Sequence, residues 1–235
     1  GTPFEFNRIQ LVRLILIAAV LIFLCIVASR AKLVPGRTQS VVELLFDFVN
    51  RNIVVAVLGE KEGRRFAPWL ISTFVLILVM NLGFMVPGLN MSGTAVIGFP
   101  LLLALATFVI YVVSGIRAHG VGGYLRNATA PPGVPKVVYI LLIPIEVIQV
   151  FIVRWASLTI RLLANMVGGH MIIVVLIGLT HFMVVSLTFL TIASPLAAGL
   201  SMLVFAFKIF VAALQAFIFT ILSAVYIQMA ITDEH

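Results

Sequence analysis

The chain has 235 residues, of which 63% are hydrophobic and 10% are charged, with 15 lysine and arginine residues against 8 acidic ones. An ordinary soluble domain is about a quarter charged, so this composition excludes a soluble globular domain and indicates a membrane protein. The apolar runs do not alternate with polar residues, which excludes a membrane β-barrel. We therefore predict an all-α polytopic membrane protein. The basic excess is read as a topology signal and not as a nucleic-acid surface.

The first predicted element is a membrane-crossing helix at residues 9–29. The run ends in Arg30 and Lys32 without a small-residue cleavage site, so we interpret it as a span and not as a signal peptide. Cys25 lies within it and is the only cysteine, which excludes a disulfide framework and a cysteine-based metal site. We interpret Cys25 as a small apolar residue facing lipid or a neighbouring helix.

The second element, at residues 38–58, differs from a spanning helix. Its apolar residues recur at helical spacing, but polar residues such as Glu43, Asp47 and Arg51 lie between them. This pattern predicts an amphipathic helix that lies on the membrane surface.

Residues 66–86 and 95–116 form a predicted spanning hairpin. No charged residue occurs from the start of the first segment to the end of the second, and a span needs roughly 20 apolar residues. Basic residues concentrate before and directly after this hairpin. The positive-inside rule then places residues 30–65 and 117–136 in the cytoplasm, the N-terminus outside and the C-terminus inside. The Pro- and Gly-rich residues 127–136 are predicted to be a connector.

The last two apolar segments, residues 137–179 and 195–231, are too long for upright spans. The first would form a helix of roughly 64 Å, about twice the 30 Å hydrocarbon core. The alternative is a hairpin turn between Arg154 and Arg161, but RWASLTIR contains no turn residue, and the turn would put two arginines outside. We therefore predict two long, steeply tilted helices that lie across another bundle. In total we expect about five membrane-crossing helices plus one amphipathic surface helix.

Charged and polar side chains inside these two segments form the candidate site. With 100° per residue, the residues within about 60° of Arg161 make one polar stripe: Glu146, Arg154, Ser157 and Asn165. His170 falls on the opposite face, towards the last helix, where Lys208 and Gln215 share a face. An arginine at mid-bilayer costs about 2.5–3.5 kcal/mol and normally faces a bundle interior, a water cavity or a counter-charge. Arg161 lies deepest in the run and is the hardest of these residues to explain structurally.

The other residues also have structural interpretations. Arg154 can extend to a membrane interface, Ser157 can bond its own backbone, and Asn165 and Gln215 can hold helices together. His181 begins the predicted outer loop and is expected to be interfacial. No zinc-protease, nucleophile-elbow or phosphate-loop motif occurs, and the histidines lack ligand spacing. We therefore expect no cofactor, no metal and no enzyme active site in this chain.

Two motifs, in this order along the chain, resemble one known family. SLTIRLLANMVGGH contains Arg161, and LQAFIFTILSAVYI contains Gln215. With PIEVI at 144–148 and NLGFMVPG at 81–88, they resemble subunit a of the F-type ATP synthases, of bacterial type. The resemblance implies that Arg161 faces the carboxylate of a rotating c-ring, promotes its deprotonation and separates two proton half-channels. The residues it implies for the outer half-channel are Asn165, His170, Lys208 and Gln215, and those for the inner one are Glu146 and Ser157.

Lys208 departs from the family pattern, which usually has an acidic residue or a histidine at this position. A lysine here can carry a proton or act only as a fixed positive charge, and both roles stay open. The implied partners are the c-ring, the peripheral-stalk subunit b, the soluble ATPase head and the lipid bilayer. The implied location is a bacterial plasma membrane or, alternatively, a mitochondrial inner membrane. The competing interpretations are another ion-translocating subunit, such as a motor stator or a porter half, and a helix scaffold, with sodium as the alternative ion.

Overall fold

The computed structural model describes residues 8–29, 36–85, 94, 96–129, 139–185 and 189–232, and nearly all of them are helical. The helices are α1 (Arg8–Ser29), α2 (Arg37–Val49), α3 (Ala56–Leu82), α4 (Gly98–Thr129), α5 (Tyr139–Ile148), α6 (Arg154–Val185) and α7 (Ser194–Ile231). Wider π-helical turns at Asn50–Val55 and Gln149–Val153 join α2 to α3 and α5 to α6. Short 3₁₀ turns occupy Gly83–Met85 and Phe189–Ala193.

The prediction of an all-α polytopic membrane protein is confirmed. In the described part of the chain, four helical runs are long and apolar enough to cross a bilayer: Arg37–Met85, Gly98–Leu125, Ile140–Val185 and Thr191–Ile231. A shorter apolar helix, Leu14–Val27, lies within α1. Cys25 is an exposed free thiol on that helix.

Helix α7 is the central element of the bundle, because it packs against α3, α4 and α6. Its buried face is rich in small residues, and Ala212 and Ala216 are completely buried, so the neighbouring helices approach closely. Ala213 is exposed, because it lies about 100° from Ala212 around the helix.

The amphipathic second segment forms α2 and the π-helical turn after it. Its polar face is exposed, and Arg51 Nε donates a hydrogen bond to Asp47 Oδ1 at 3.0 Å. Its apolar face meets the bundle, where the rings of Phe48 and Phe217 lie 6.1 Å apart. The chain then bends at Gly59, with φ 73° and ψ 175°, a conformation that is essentially restricted to glycine. The bend separates α2 and its π-helical turn from the charged residues Glu60 to Arg65, which precede the apolar part of α3.

Helix α4 continues beyond its predicted end at residue 116, as far as Thr129. It bends at Gly120, with φ 73° and ψ 168°. The bend brings the Tyr124 ring back over Gly115, where an added Cβ would overlap that ring and lie 3.0 Å from the Ala230 carbonyl oxygen. The predicted start of the connector at residue 127 is therefore wrong, because α4 continues to Thr129. Residues 130–136 of the connector lie outside the described residues.

Residues 139–185 form one helical run without a turn between Arg154 and Arg161, so the hairpin alternative is excluded. The part from Ile140 to Val185 has 46 residues and is therefore roughly 69 Å long, more than twice the hydrocarbon core. The outer loop was expected to begin at His181, but α6 continues to Val185, because the residues after His181 are apolar and include no helix breaker. The tilt of this run in the membrane stays a prediction.

The end of α6 and the start of α7 contain no buried residue. Burial on α6 ends at Met166, and burial on α7 begins at Lys208. We call the described residues between them, 167–185 and 191–207, the projecting hairpin. Large apolar side chains are exposed along it, among them Met171, Phe182, Leu196 and Met202. An exposed apolar surface of this extent faces lipid or a partner protein.

Candidate functional site

Arg161 is exposed on α6, at the edge of the buried face of that helix. The buried residues of the helix are Leu158, Thr159, Leu162 and Met166. Within the described residues, the Arg161 guanidinium makes no hydrogen bond and no salt bridge. The nearby positions on its face are small (Ser157, Ala164 and Gly168), and a Cβ added at Gly168 would meet nothing within 4 Å. The guanidinium is thus presented to any partner that packs on this face.

One turn after Arg161, a polar contact joins α6 to α7. Asn165 Nδ2 donates a hydrogen bond to Gln215 Oε1 at 3.3 Å, so the structure brings these two site residues together. Gln215 is 5% exposed, and its Nε2 atom has no hydrogen-bond partner among the described residues. Buried polar groups are normally paired. This amide is therefore available to a water molecule or to a group from a partner.

Lys208 is buried in the same helix contact. Its Nζ lies 4.1 Å from the centroid of the Phe84 ring, which is a cation–π geometry. Its aliphatic stem packs on Gly169, where an added Cβ would lie 3.5 Å from Lys208 Cε. His170 follows Gly169 and is half-buried. The residues expected in the outer half-channel therefore follow the antiparallel contact of α6 and α7.

Arg154 turns towards α7. Its Cζ lies 5.3 Å from the centroid of the Tyr226 ring, and its Nε is buried without a hydrogen-bond partner among the described residues. Arg154, Ser157 and Tyr226 line a cavity of about 350 Å³ together with Gln149 and apolar residues. A cavity of this size, with these polar groups on part of its lining, has room for several water molecules.

Glu146 does not line this cavity with Ser157, although both were expected on one stripe; its side chain is half-buried. The reason is the π-helical turn Gln149–Val153, which lies between them. An inserted residue shifts the faces of the helix on its two sides by about 100° relative to each other. The angle of 100° per residue that placed Glu146 and Ser157 on one stripe therefore does not hold across this turn.

Two side chains supply hydrogen bonds to the carbonyl groups of the π-helical turn. The Tyr111 hydroxyl donates to the Val150 carbonyl oxygen at 2.6 Å, and Trp155 Nε1 donates to the Phe151 carbonyl oxygen at 2.6 Å. These bonds satisfy carbonyls that a wider turn leaves without regular partners. Tyr111 thereby ties α4 to the long helical run.

A buried polar pair next to the Lys208 contact was not singled out from the sequence. Thr94 Oγ1 donates to Asn81 Oδ1 at 2.8 Å, and Asn81 Nδ2 donates to the Ala212 carbonyl oxygen at 3.3 Å. Asn81 lies three residues before Phe84. The sequence signal that could have identified this pair is Asn81, an amide side chain in an otherwise apolar segment. Within the described ranges, no group of three His, Cys, Asp or Glu side chains is placed to hold a metal ion.

Together these features define a polytopic helical membrane protein with an exposed arginine on a long helix and buried polar groups beside it. The profile of the family described as ATP synthase A chain matches residues 11–228. The chain therefore belongs to the ATP synthase A chain family.

Curated relatives agree with this assignment. The chain is 38% identical to ATP synthase subunit a of Rhodococcus erythropolis over 237 residues, covering 99% of this chain and 86% of that protein. It is 37% identical to ATP synthase subunit a of Frankia alni over 209 residues, covering 88% of this chain and 71% of that protein. A relative of the same name from an Anaeromyxobacter species is 39% identical over 93% of this chain, but this alignment spans only 54% of that longer protein.

Proposed function

We propose that this chain is the proton-conducting stator subunit of a rotary ATP synthase. Its family makes it a membrane-sector subunit and not a catalytic enzyme on its own. In this proposal a c-ring packs on the face of α6 that carries Arg161, the peripheral-stalk subunit b holds the chain still, and the soluble ATPase head uses the rotation. The membrane is the bacterial plasma membrane, with the N-terminus outside and the C-terminus in the cytoplasm.

The exposed, unpaired guanidinium of Arg161 is the observation that carries this proposal. A charge removed from water needs a counter-charge, and the described chain offers Arg161 none. A carboxylate on a moving c-ring supplies it from outside. Because an adjacent positive charge favours the ionised form of a carboxylate, the ring site releases its proton beside Arg161. The arginine itself does not deprotonate, so it blocks direct proton flow between the half-channels.

The outer half-channel follows the contact between α6 and α7. Protons pass His170, Lys208, Asn165 and Gln215 and neutralise a ring carboxylate, which can then enter lipid. Gln215 Nε2 has no hydrogen-bond partner among the described residues. This supports the path, because the atom can hold a water molecule at the end of the channel. The contact with Phe84 fixes the Lys208 ammonium in position.

The inner half-channel includes the cavity that Arg154, Ser157 and Tyr226 line. A ring site that has turned almost fully around loses its proton near Arg161, and the proton leaves through this cavity past Ser157. Glu146 acts nearer the cytoplasmic end, outside the cavity lining. The membrane potential supplies work of about 2.3 kcal/mol per charge per 100 mV.

Replacing Arg161 tests the proposal. In membrane vesicles that contain the complete ATP synthase, we expect Arg161→Ala to abolish ATP-driven proton pumping, because the ring carboxylate then lacks its counter-charge. The chain should still be present in the assembled complex, since Arg161 makes no contact that holds the described fold together. Arg64→Ala, which removes an exposed arginine outside the site, should pump like the wild type. Retained pumping in Arg161→Ala would contradict the proposal and favour a scaffold.

A further inference from the structure

A second polar cavity, of about 340 Å³, lies between α3, α4 and α7. Its polar lining consists of Glu62, Arg65, Ser114, Arg117, Gln228 and Thr232. Helix α6, which carries Arg161, contributes no residue to it. The cavity is therefore distinct from the proton path proposed above.

Two arginines define the depth of this cavity. Arg65 directly precedes the uncharged residues 66–116, and Arg117 directly follows them. Because both side chains line one cavity, they lie at the same boundary of the apolar layer, at the level of lipid phosphate groups. Neither guanidinium forms a salt bridge with a carboxylate among the described residues.

Ser114 provides an independent observation. It is 7% exposed and lines the cavity, and its hydroxyl makes no hydrogen bond to any residue that the structure describes. A hydroxyl donor beside two guanidinium groups suits an anionic oxygen atom, because charge-assisted hydrogen bonds are the strong ones.

We propose that this cavity binds the phosphodiester headgroup of an anionic phospholipid. Arg65 and Arg117 carry two positive charges and Glu62 one negative charge, which leaves one positive charge in the cavity. This matches the single charge of a phosphodiester better than the charge of about −2 on a phosphomonoester. Leu58 and Ile231 also line the cavity and give the glycerol side of a lipid an apolar contact. A free phosphate ion shares the recognised chemistry and is the competing source.

The test measures binding of radiolabelled phosphatidylglycerol to the purified, delipidated ATP synthase complex, with phosphatidylcholine as the comparison lipid. The R65Q/R117Q double variant should bind phosphatidylglycerol at least about tenfold more weakly than the wild type, since it loses two charge-assisted contacts. Ser114→Ala should weaken binding by a smaller factor. Arg64→Gln is the matched control, because Arg64 is exposed beside Arg65 but does not line the cavity, and it should bind like the wild type.

Glu62→Gln gives a result that misfolding cannot imitate. Removing the carboxylate should tighten phosphatidylglycerol binding by roughly two- to fivefold, since one like charge is removed. The proposal is overturned if Arg64→Gln weakens binding as much as the double variant, or if phosphatidylcholine binds equally well. It is also overturned if millimolar inorganic phosphate displaces the lipid from the wild type, which would assign the cavity to the free ion.

Discussion

Arg154 and Arg161 are seven residues apart on one helix, yet their surroundings are opposite. Arg154 lies over the Tyr226 ring, so its own chain stabilises it. Arg161 is exposed and has no hydrogen-bond or salt-bridge partner among the described residues. The depth of Arg161 in the apolar run identified it from the sequence as the charge that needs a partner. The sequence could not show that Arg154 has one, because Tyr226 is 72 positions further along the chain.

The Arg154–Tyr226 contact can be tested with two substitutions of one residue. Tyr226→Leu removes the ring, and a cation–π contact of this kind contributes about 0.5–2 kcal/mol. We expect the variant chain to dissociate from the purified, detergent-solubilised complex at a lower temperature than the wild-type chain. Gel analysis of the amount of chain retained in the complex at each temperature measures this. Tyr226→Phe keeps the ring and should behave like the wild type. An equal loss in both variants would show that the hydroxyl matters and not the ring.

Gly169 tests how tightly the Lys208 side chain is held. A Cβ at Gly169 would lie 3.5 Å from Lys208 Cε, an ordinary van der Waals distance, so Gly169→Ala should keep normal ATP-driven proton pumping in vesicles. Gly169→Leu is too large for this space and should displace Lys208 from Phe84. We expect it to reduce pumping while the complex still assembles. Normal pumping in Gly169→Leu would mean that the position of Lys208 is unimportant.

At the scale of helices, two bends rest on glycine alone. Gly59 and Gly120 both have φ 73°, and the bend at Gly120 sets Tyr124 over Gly115. A non-glycine residue in this backbone region costs about 1–3 kcal/mol. The bend at Gly120 lies three residues after Arg117, where the uncharged stretch 66–116 has ended, so it sets the angle at which α4 leaves the apolar layer.

Gly120→Ala should therefore destabilise the chain by about 1–3 kcal/mol, seen as less chain in the membrane fraction and a lower thermal midpoint of the solubilised complex. Gly122→Ala is the matched control on the same helix. A Cβ there would meet nothing within 4 Å, and its φ is not positive. Equal stability of the two variants would argue against a strained bend at Gly120.

The helices were largely predictable, and their irregularities were not. The uncharged stretch 66–116 indicated apolar helices, and the pattern around Asp47 indicated an amphipathic helix. Both could be predicted because charge and the spacing of apolar residues are local properties of the sequence. The π-helical turn Gln149–Val153 was not predictable, since Tyr111 on another helix bonds to it. That turn lies between Glu146 and Ser157 and changes their relative orientation in the candidate site.

At the scale of the whole molecule, the end of α6 and the start of α7 are not buried in the bundle. The projecting hairpin (167–185 and 191–207) has no buried residue, whereas the half of α7 from Lys208 onwards is packed into the bundle. The length argument from sequence already predicted a surface that lies across another bundle, and the exposed Arg161 lies at the edge of this surface.

Gly168 tests whether a partner helix packs on the face of Arg161. A Cβ at Gly168 would meet nothing within 4 Å in this chain, so Gly168→Leu should leave the chain folded and in the membrane. If a c-ring packs closely here, small residues are required, and the leucine should hold the ring away from Arg161. We then expect ATP-driven proton pumping to fall at least about tenfold, since small misplacements of reacting groups have effects of this size or larger. Gly122→Leu, also in open space but on α4, controls for the added bulk. Wild-type pumping in Gly168→Leu would place the ring on another face and leave Arg161 without the counter-charge that the mechanism needs.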